Sequence, residues 1–311
     1  MLSFSRRMSK SSLQINFEYL IARLLLATFQ LLPVRAAVSV GGWLAPFFAG
    51  FSGRLKAVGR RNLELAFPEL SDHERDQLLR GAFTNLGRLF GVFTHFSDPP
   101  EKLKKIVRAE GLEHRIAAEA LGGGVILFTG HLGGWELSSF GQSLYGHPLS
   151  FLVRRIDNPK IEALVDRQRQ CLGNRTIDKR SAAREMLQLL KNKESFGILV
   201  DLNMLGREGI FVDFFGVPAA TTFVVAKLAL RTGAPILPAF APWDHERKQF
   251  VVQILPPLEF ELTGDEEQDV LTITQAYTRA VEDHARRYPD QWLWIHRRWK
   301  TRPADEPPLY T

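Results

Sequence analysis

Short apolar runs alternate with longer amphipathic stretches through most of this chain, and that alternation sets the first expectation about its fold. "GVILFTG", residues 124–130, reads as a buried strand that enters a glycine turn, "PLSFLVRR" as a second strand and "SFGILVD" as a third ending at Asp201. "APILPAF" and "FVVQILPPL" are further strands. Between them, "PKIEALVDRQRQCL", "AAREMLQLLKNK" and "TTFVVAKLALRTG" carry apolar residues at helical spacing, the last stopping at Gly233. A long amphipathic helix precedes the alternation, with Leu78, Leu79, Ala82, Phe83, Leu86, Leu89 and Phe90 on one face. Ser71 and Glu74 open it with the spacing of a capping box. "EQDVLTITQAYTRAVEDHARRYP" is a last long helix. Strands that alternate with helices predict an α/β fold with a largely parallel central sheet flanked by helices.

The N-terminal part breaks this pattern. From Phe17 to Leu32 nearly every residue is apolar, but Glu18 and Arg23 interrupt the run, which is awkward for a plain membrane span of about 20 apolar residues. On a helix, Asn16, Arg23 and Gln30 recur every seven residues and share one narrow stripe. Such a helix suits a membrane boundary or a tilted span, with a core helix packed beneath a soluble domain as the lesser alternative. The division that follows is an N-terminal membrane-associated segment over residues 1–52 and a catalytic domain over residues 53–311.

Composition narrows the classes. Of 311 residues 45% are hydrophobic and 24% charged, ordinary for a globular protein. The net charge of +6 points to an anionic partner, whether nucleic acid, membrane surface or phosphorylated substrate. A single cysteine, Cys171, excludes an internal disulfide and a cysteine-based metal cluster. The other histidines show no ligand spacing around His131, so no metal is expected.

Sites in open α/β sheets gather at the carboxyl ends of strands. Three polar groups fall there: His131, Arg154 with Arg155, and Asp201. In "GHLGGWE" a histidine is followed five residues later by Glu136 across two glycines. An imidazole there is able to take a hydroxyl proton, with Glu136 holding its second nitrogen and nearby backbone N–H groups receiving an oxyanion. Taken alone, a His-x4-Glu spacing more often marks a satisfied turn histidine. No serine elbow or activated cysteine offers a protein nucleophile, which leaves direct attack by a substrate hydroxyl. The C-terminal "PDQWLWIHRRWKTRP" sets Arg297 and Arg298 among three tryptophans. That mixture suits an interfacial lip gripping phosphate, a solvated basic surface, or nucleic acid, for which no further motif appears.

With these residues assembled, the chain resembles the bacterial lipid A late acyltransferases, from "RRNLELAFPELSDHER" at Arg60 to near its end. "GVILFTGHLGGWEL" and "PDQWLWIHRRWKTRP" carry the likeness most specifically; "VRRIDNPK", Asp201, "FVDFFGVPAATT" and "RTGAPILP" follow in order. The resemblance implies an acyltransferase fold at the cytoplasmic face of the bacterial inner membrane. It implies transfer of a fatty acyl group from acyl carrier protein to a hydroxyl of an anionic glycolipid, a lipid A precursor of the Kdo-lipid IVA type. It assigns His131 and Glu136 as catalytic, and Arg154, with Arg155 beside it, Asp201, Arg297 and Arg298 as substrate-binding. The same chemistry on another glycolipid or phospholipid, and a non-catalytic membrane-binding scaffold, stand as alternatives. A thioester is already activated, so no cofactor is called for, and nucleic acid is not expected as a partner.

Overall fold

The computed structural model describes residues 10–178 and 182–310. Among the described residues ten strands form in chain order: β1 (Val107–Glu110), β2 (Ile126–Thr129), β3 (Ser150–Val153), β4 (Arg175–Asp178), β5 (Phe196–Leu199), β6 (Gly209–Phe214), β7 (Val217–Thr222), β8 (Ile236–Phe240), β9 (Trp243–Asp244) and β10 (Gln249–Ile254). The main sheet runs β1-β10-β8-β2-β5-β3-β4, with β9 paired to the first residues of β10. Every pairing from β8 across to β4 is parallel, and only β10 runs antiparallel to β8 and β9. The expected α/β class and largely parallel sheet therefore hold. The run "FVDFFGVPAATT" is a separate antiparallel hairpin, β6–β7, with Phe214 and Phe215 buried in the main core.

The local signals behave as their chemistry dictates. Ser71 and Glu74 form the reciprocal capping box and start the helix Asp72–Phe93. Gly233 takes a left-handed φ of 68° and ends the helix Val224–Thr232.

At the N-terminus the helix Ser12–Gln30 leads into Val34–Ala49, which packs closely along Asp72–Phe93. Glycines permit that approach: a Cβ on Gly41 would lie 2.2 Å from the Gly87 carbonyl oxygen, and one on Gly91 2.5 Å from that of Ala37. The first helix turns its polar groups toward the body of the protein. Lys160 Nζ donates to Asn16 Oδ1 at 2.7 Å, and Gln30 Nε2 donates to the Thr94 carbonyl at 2.9 Å. Arg23 lies over the Tyr19 ring on the same helix, 5.9 Å from its centroid. Leu13, Phe17, Leu20, Ile21, Leu24 and Leu25 are left exposed, and Trp43, Phe47, Phe48 and Phe51 extend the apolar surface. Among the described residues no single helix is long and apolar enough to cross a membrane; Val34–Ala49 and Gly53–Ala66 together have the length but bend by 98°.

Candidate active site

His131 and Asp201 meet because their strands are neighbours in register. β2 and β5 run parallel with Thr129 opposite Leu199, and each polar residue lies two positions beyond that matched pair. His131 Nδ1 is 2.7 Å from Asp201 Oδ1, while the His131 backbone N–H donates to Asp201 Oδ2 at 2.7 Å. The Trp292 indole N–H donates to the same Oδ2 at 2.8 Å. Gly130 makes room, since a Cβ there would stand 3.0 Å from Asp201 Oδ2 and 2.8 Å from Val281.

Asp201 is 2% exposed and both its oxygens are engaged. Burial by itself pushes its carboxyl up, but the imidazole of His131 and the hydrogen bonds from it win, holding the group well below the usual carboxylate range. An ionised Asp201 keeps the ring proton on Nδ1, which leaves Nε2 as the unprotonated nitrogen. His131 lines a cavity of about 800 Å³, a size that takes a ligand with long alkyl chains, and Phe151, Met186, Leu199 and Phe223 make much of its wall apolar.

This geometry corrects two expectations. The carboxylate on His131 is Asp201, not Glu136, and Asp201 is spent on the imidazole rather than held out to a substrate. Glu136 also lines the cavity, but its oxygens accept from Arg169, Nε at 2.9 Å and Nη2 at 2.5 Å. Arg169 comes from the helix Pro159–Gln170 and was invisible to motif reasoning; its only sequence signal is a basic residue in the last turn of a helix beside a strand-end site. The glycine turn is as predicted, with Gly133 at φ 61° and no room for a Cβ beside the Ala241 carbonyl, 2.2 Å away. Its amides are nevertheless largely committed: those of His131, Leu132, Gly133 and Gly134 donate to Asp201, Gly130, Gln291 and Ala241.

The arginines separate by environment. Arg154 is exposed at the cavity and has no ion pair or hydrogen bond among the described residues, whereas Arg155 is tied to Asp178 at 2.8 Å. The C-terminal lip is not a lip. Trp292, Trp294, Trp299 and Arg298 are all 0% exposed. Arg298 donates to the Ala220 carbonyl at 3.0 Å and to Thr221 Oγ1 at 2.5 Å, and burial pulls its guanidinium down to about 10. Arg297 is half-buried, 5.7 Å over the Tyr310 ring. The segment works from behind: Leu293 N–H donates to the His131 carbonyl at 2.9 Å, and Asn62 ties the Trp294 and His296 carbonyls to the N-terminal helices.

Residues 2–301 match the model of the bacterial lipid A biosynthesis acyltransferase family. The chain belongs to that family. It is 30% identical over 275 residues to a lipid A biosynthesis palmitoleoyltransferase of Escherichia coli, covering 87% of this chain and 86% of that one. A lipid A biosynthesis lauroyltransferase of Escherichia coli is 29% identical over 90% of both chains. A lipid A biosynthesis acyltransferase of Haemophilus influenzae is 26% identical over 91% of this chain and 87% of its own. The 1-acyl-sn-glycerophosphate acyltransferase PlsC of Thermotoga maritima aligns over 86% of this chain and 97% of that one, with 17% identity and a TM-score of 0.38, too remote to add weight.

Proposed function

We propose that this acyltransferase-family protein moves a fatty acyl group from an acyl carrier protein thioester to a hydroxyl of a lipid A precursor of the Kdo-lipid IVA type. The carrying observation is the His131–Asp201 pair in the wall of a largely apolar cavity, in a chain of this family. Nε2 of His131 takes the proton of the acceptor hydroxyl as its oxygen attacks the thioester carbonyl. Asp201 holds the tautomer and stabilises the imidazolium that forms. The carbon–sulfur bond then breaks, and the leaving thiolate recovers the proton from His131. The product is an ester and a free carrier thiol. Arg154, exposed at the cavity, meets anionic groups of the acceptor with its two-pronged guanidinium.

The enzyme works at the cytoplasmic face of the bacterial inner membrane, where both substrates meet. The outward Leu and Phe residues of Ser12–Gln30, with Trp43 and Phe47, enter the headgroup region and set the cavity beside the lipid. Asn158, at the start of the helix that follows the Arg154 turn, bonds the Ile15 carbonyl and Glu18 of the first helix at 3.0 and 2.9 Å, which links that helix to the site's rim.

The deciding experiment mixes purified protein, acyl carrier protein charged with fatty acids of different length, and Kdo-lipid IVA in detergent, and reads products by mass spectrometry. Acylated lipid with wild type and none with His131→Ala is expected. A wild-type protein inert on this acceptor but active on a phospholipid would overturn the acceptor assignment, and a fully active His131→Ala would overturn the mechanism.

A further inference from the structure

Acyl transfer creates negative charge on the former carbonyl oxygen, and the turn after β2 supplies little to meet it. Four consecutive backbone N–H groups, from His131 to Gly134, are already donated elsewhere. Those of Trp135 and Glu136 have no partner among the described residues, and they open the helix Leu137–Leu144. Beside them lies the guanidinium of Arg169. Glu136 engages its Nε and Nη2 edge, leaving Nη1 without a partner among the described residues. Arg169 and Glu136 are only 15% and 16% exposed at their side chains, and both line the cavity that His131 lines.

An ion pair this little exposed, which keeps one donor nitrogen unspent and lines the same cavity as the base, is more than a structural tie. A surface clamp would be exposed and weak, and a core clamp would bury all its donors. We infer that Arg169, gripped by Glu136, is the catalytic cation that stabilises the oxyanion formed when the acceptor oxygen attacks the thioester carbonyl. The inference rests on the acyl-transfer reading above and gives Glu136 a different task from the one its spacing suggests: it positions Arg169 and leaves His131 to Asp201. The proton route is unchanged. The acceptor proton goes to His131 Nε2, the carbonyl electron pair goes to the oxygen facing Arg169, and its return expels the thiolate. A planar guanidinium held at two nitrogens has its third fixed in direction, so little reorganisation is needed as charge develops.

The test is steady-state transfer to Kdo-lipid IVA from the acyl carrier protein donor that wild type uses fastest. Wild type is compared with Arg169→Gln, Glu136→Gln, the double variant and His131→Ala. Loss of one oxyanion donor lowers kcat by about 100-fold or more, so Arg169→Gln is expected to show that loss with little change in KM and an unmoved acid limb of the pH–rate profile. Glu136→Gln acts through Arg169, so the double variant is expected to be no worse than Arg169→Gln alone. The double variant keeps a neutral hydrogen-bonded pair, which guards against a folding defect from a stranded Glu136; a thermal melt checks it. Losses that multiply in the double variant, a rise in KM with kcat kept, or an acid limb displaced by Glu136→Gln would each overturn the inference. The acyl-transfer reading survives any of these provided His131→Ala is dead, and falls separately if that variant turns over.

Discussion

Two stretches of this chain mix large apolar residues with basic ones, and folding treats them in opposite ways. In the C-terminal run, Trp292, Trp294, Trp299 and Arg298 are entirely buried behind the turn that carries His131. In the first helix, Phe17 is 64% and Leu24 59% exposed, while polar Asn16 and Gln30 bond to the protein. Tryptophan and arginine suggested a membrane lip, yet the indole N–H groups of Trp292 and Trp294 and the two Nη nitrogens of Arg298 have fixed acceptors inside. A polar tip is tolerated in a core when a partner waits for it, and an apolar stripe stays outside when the other face of its helix holds the anchoring bonds. Residue type sets what a side chain needs; the partner's position sets where it goes.

The sharpest way to break this contrast is at the interior pole. Asp201→Asn keeps the shape but lets the imidazole adopt the wrong tautomer, so kcat should fall by roughly 1,000- to 10,000-fold with little change in KM. Stopped or steady-state transfer assays check it, and a loss below tenfold would return the orienting role to another group.

Arg298→Ala comes next. It strands the Ala220 carbonyl and Thr221 and opens a hole, which should cost about 3 kcal/mol in a denaturant melt. Lys300→Ala, exposed two residues away, should stay within about 0.5 kcal/mol. Equal effects would mean that the segment is a surface after all.

At the outer pole, Phe17→Ser with Leu24→Ser should leave the melt unchanged and weaken binding to anionic phospholipid vesicles by about tenfold or more, since each buried side chain of this size contributes about 1.5–3 kcal/mol. Unchanged flotation with vesicles would move the contact to Trp43 and Phe47. Phe29→Ala sharpens the comparison: Phe29 is buried on the same helix against Phe90, ring centroids 5.0 Å apart, and its loss should lower stability instead.

The smallest effect is a pH slope. Burial holds His296 neutral, down to about 4 from its usual 6.5. Protons therefore bind the unfolded chain first as pH falls, and stability is lost between about 6.5 and about 4. From pH 7 to pH 6 the loss is only about 0.7 kcal/mol, and His296→Gln should flatten it. A variant with the wild-type slope would assign that proton elsewhere.

Much of the architecture was legible in the pattern alone. The alternation of apolar runs and helical stretches determined a parallel-rich sheet, Ser71 and Glu74 determined a helix start, and Gly233 determined a helix end, because these depend on neighbours within a few residues. It also placed His131, Arg154 and Asp201 at strand ends. The family likeness carried the chemistry. Which carboxylate serves His131 was a different matter. Glu136 is five residues away and Asp201 seventy, but hydrogen bonds follow distance in space. The adjacency of β2 and β5 brings Asp201 to the ring, and the helix Pro159–Gln170 brings Arg169 to claim Glu136. Strand order and helix docking arise from burying the whole set of apolar faces at once, so only the assembled tertiary structure decides such long-range pairings.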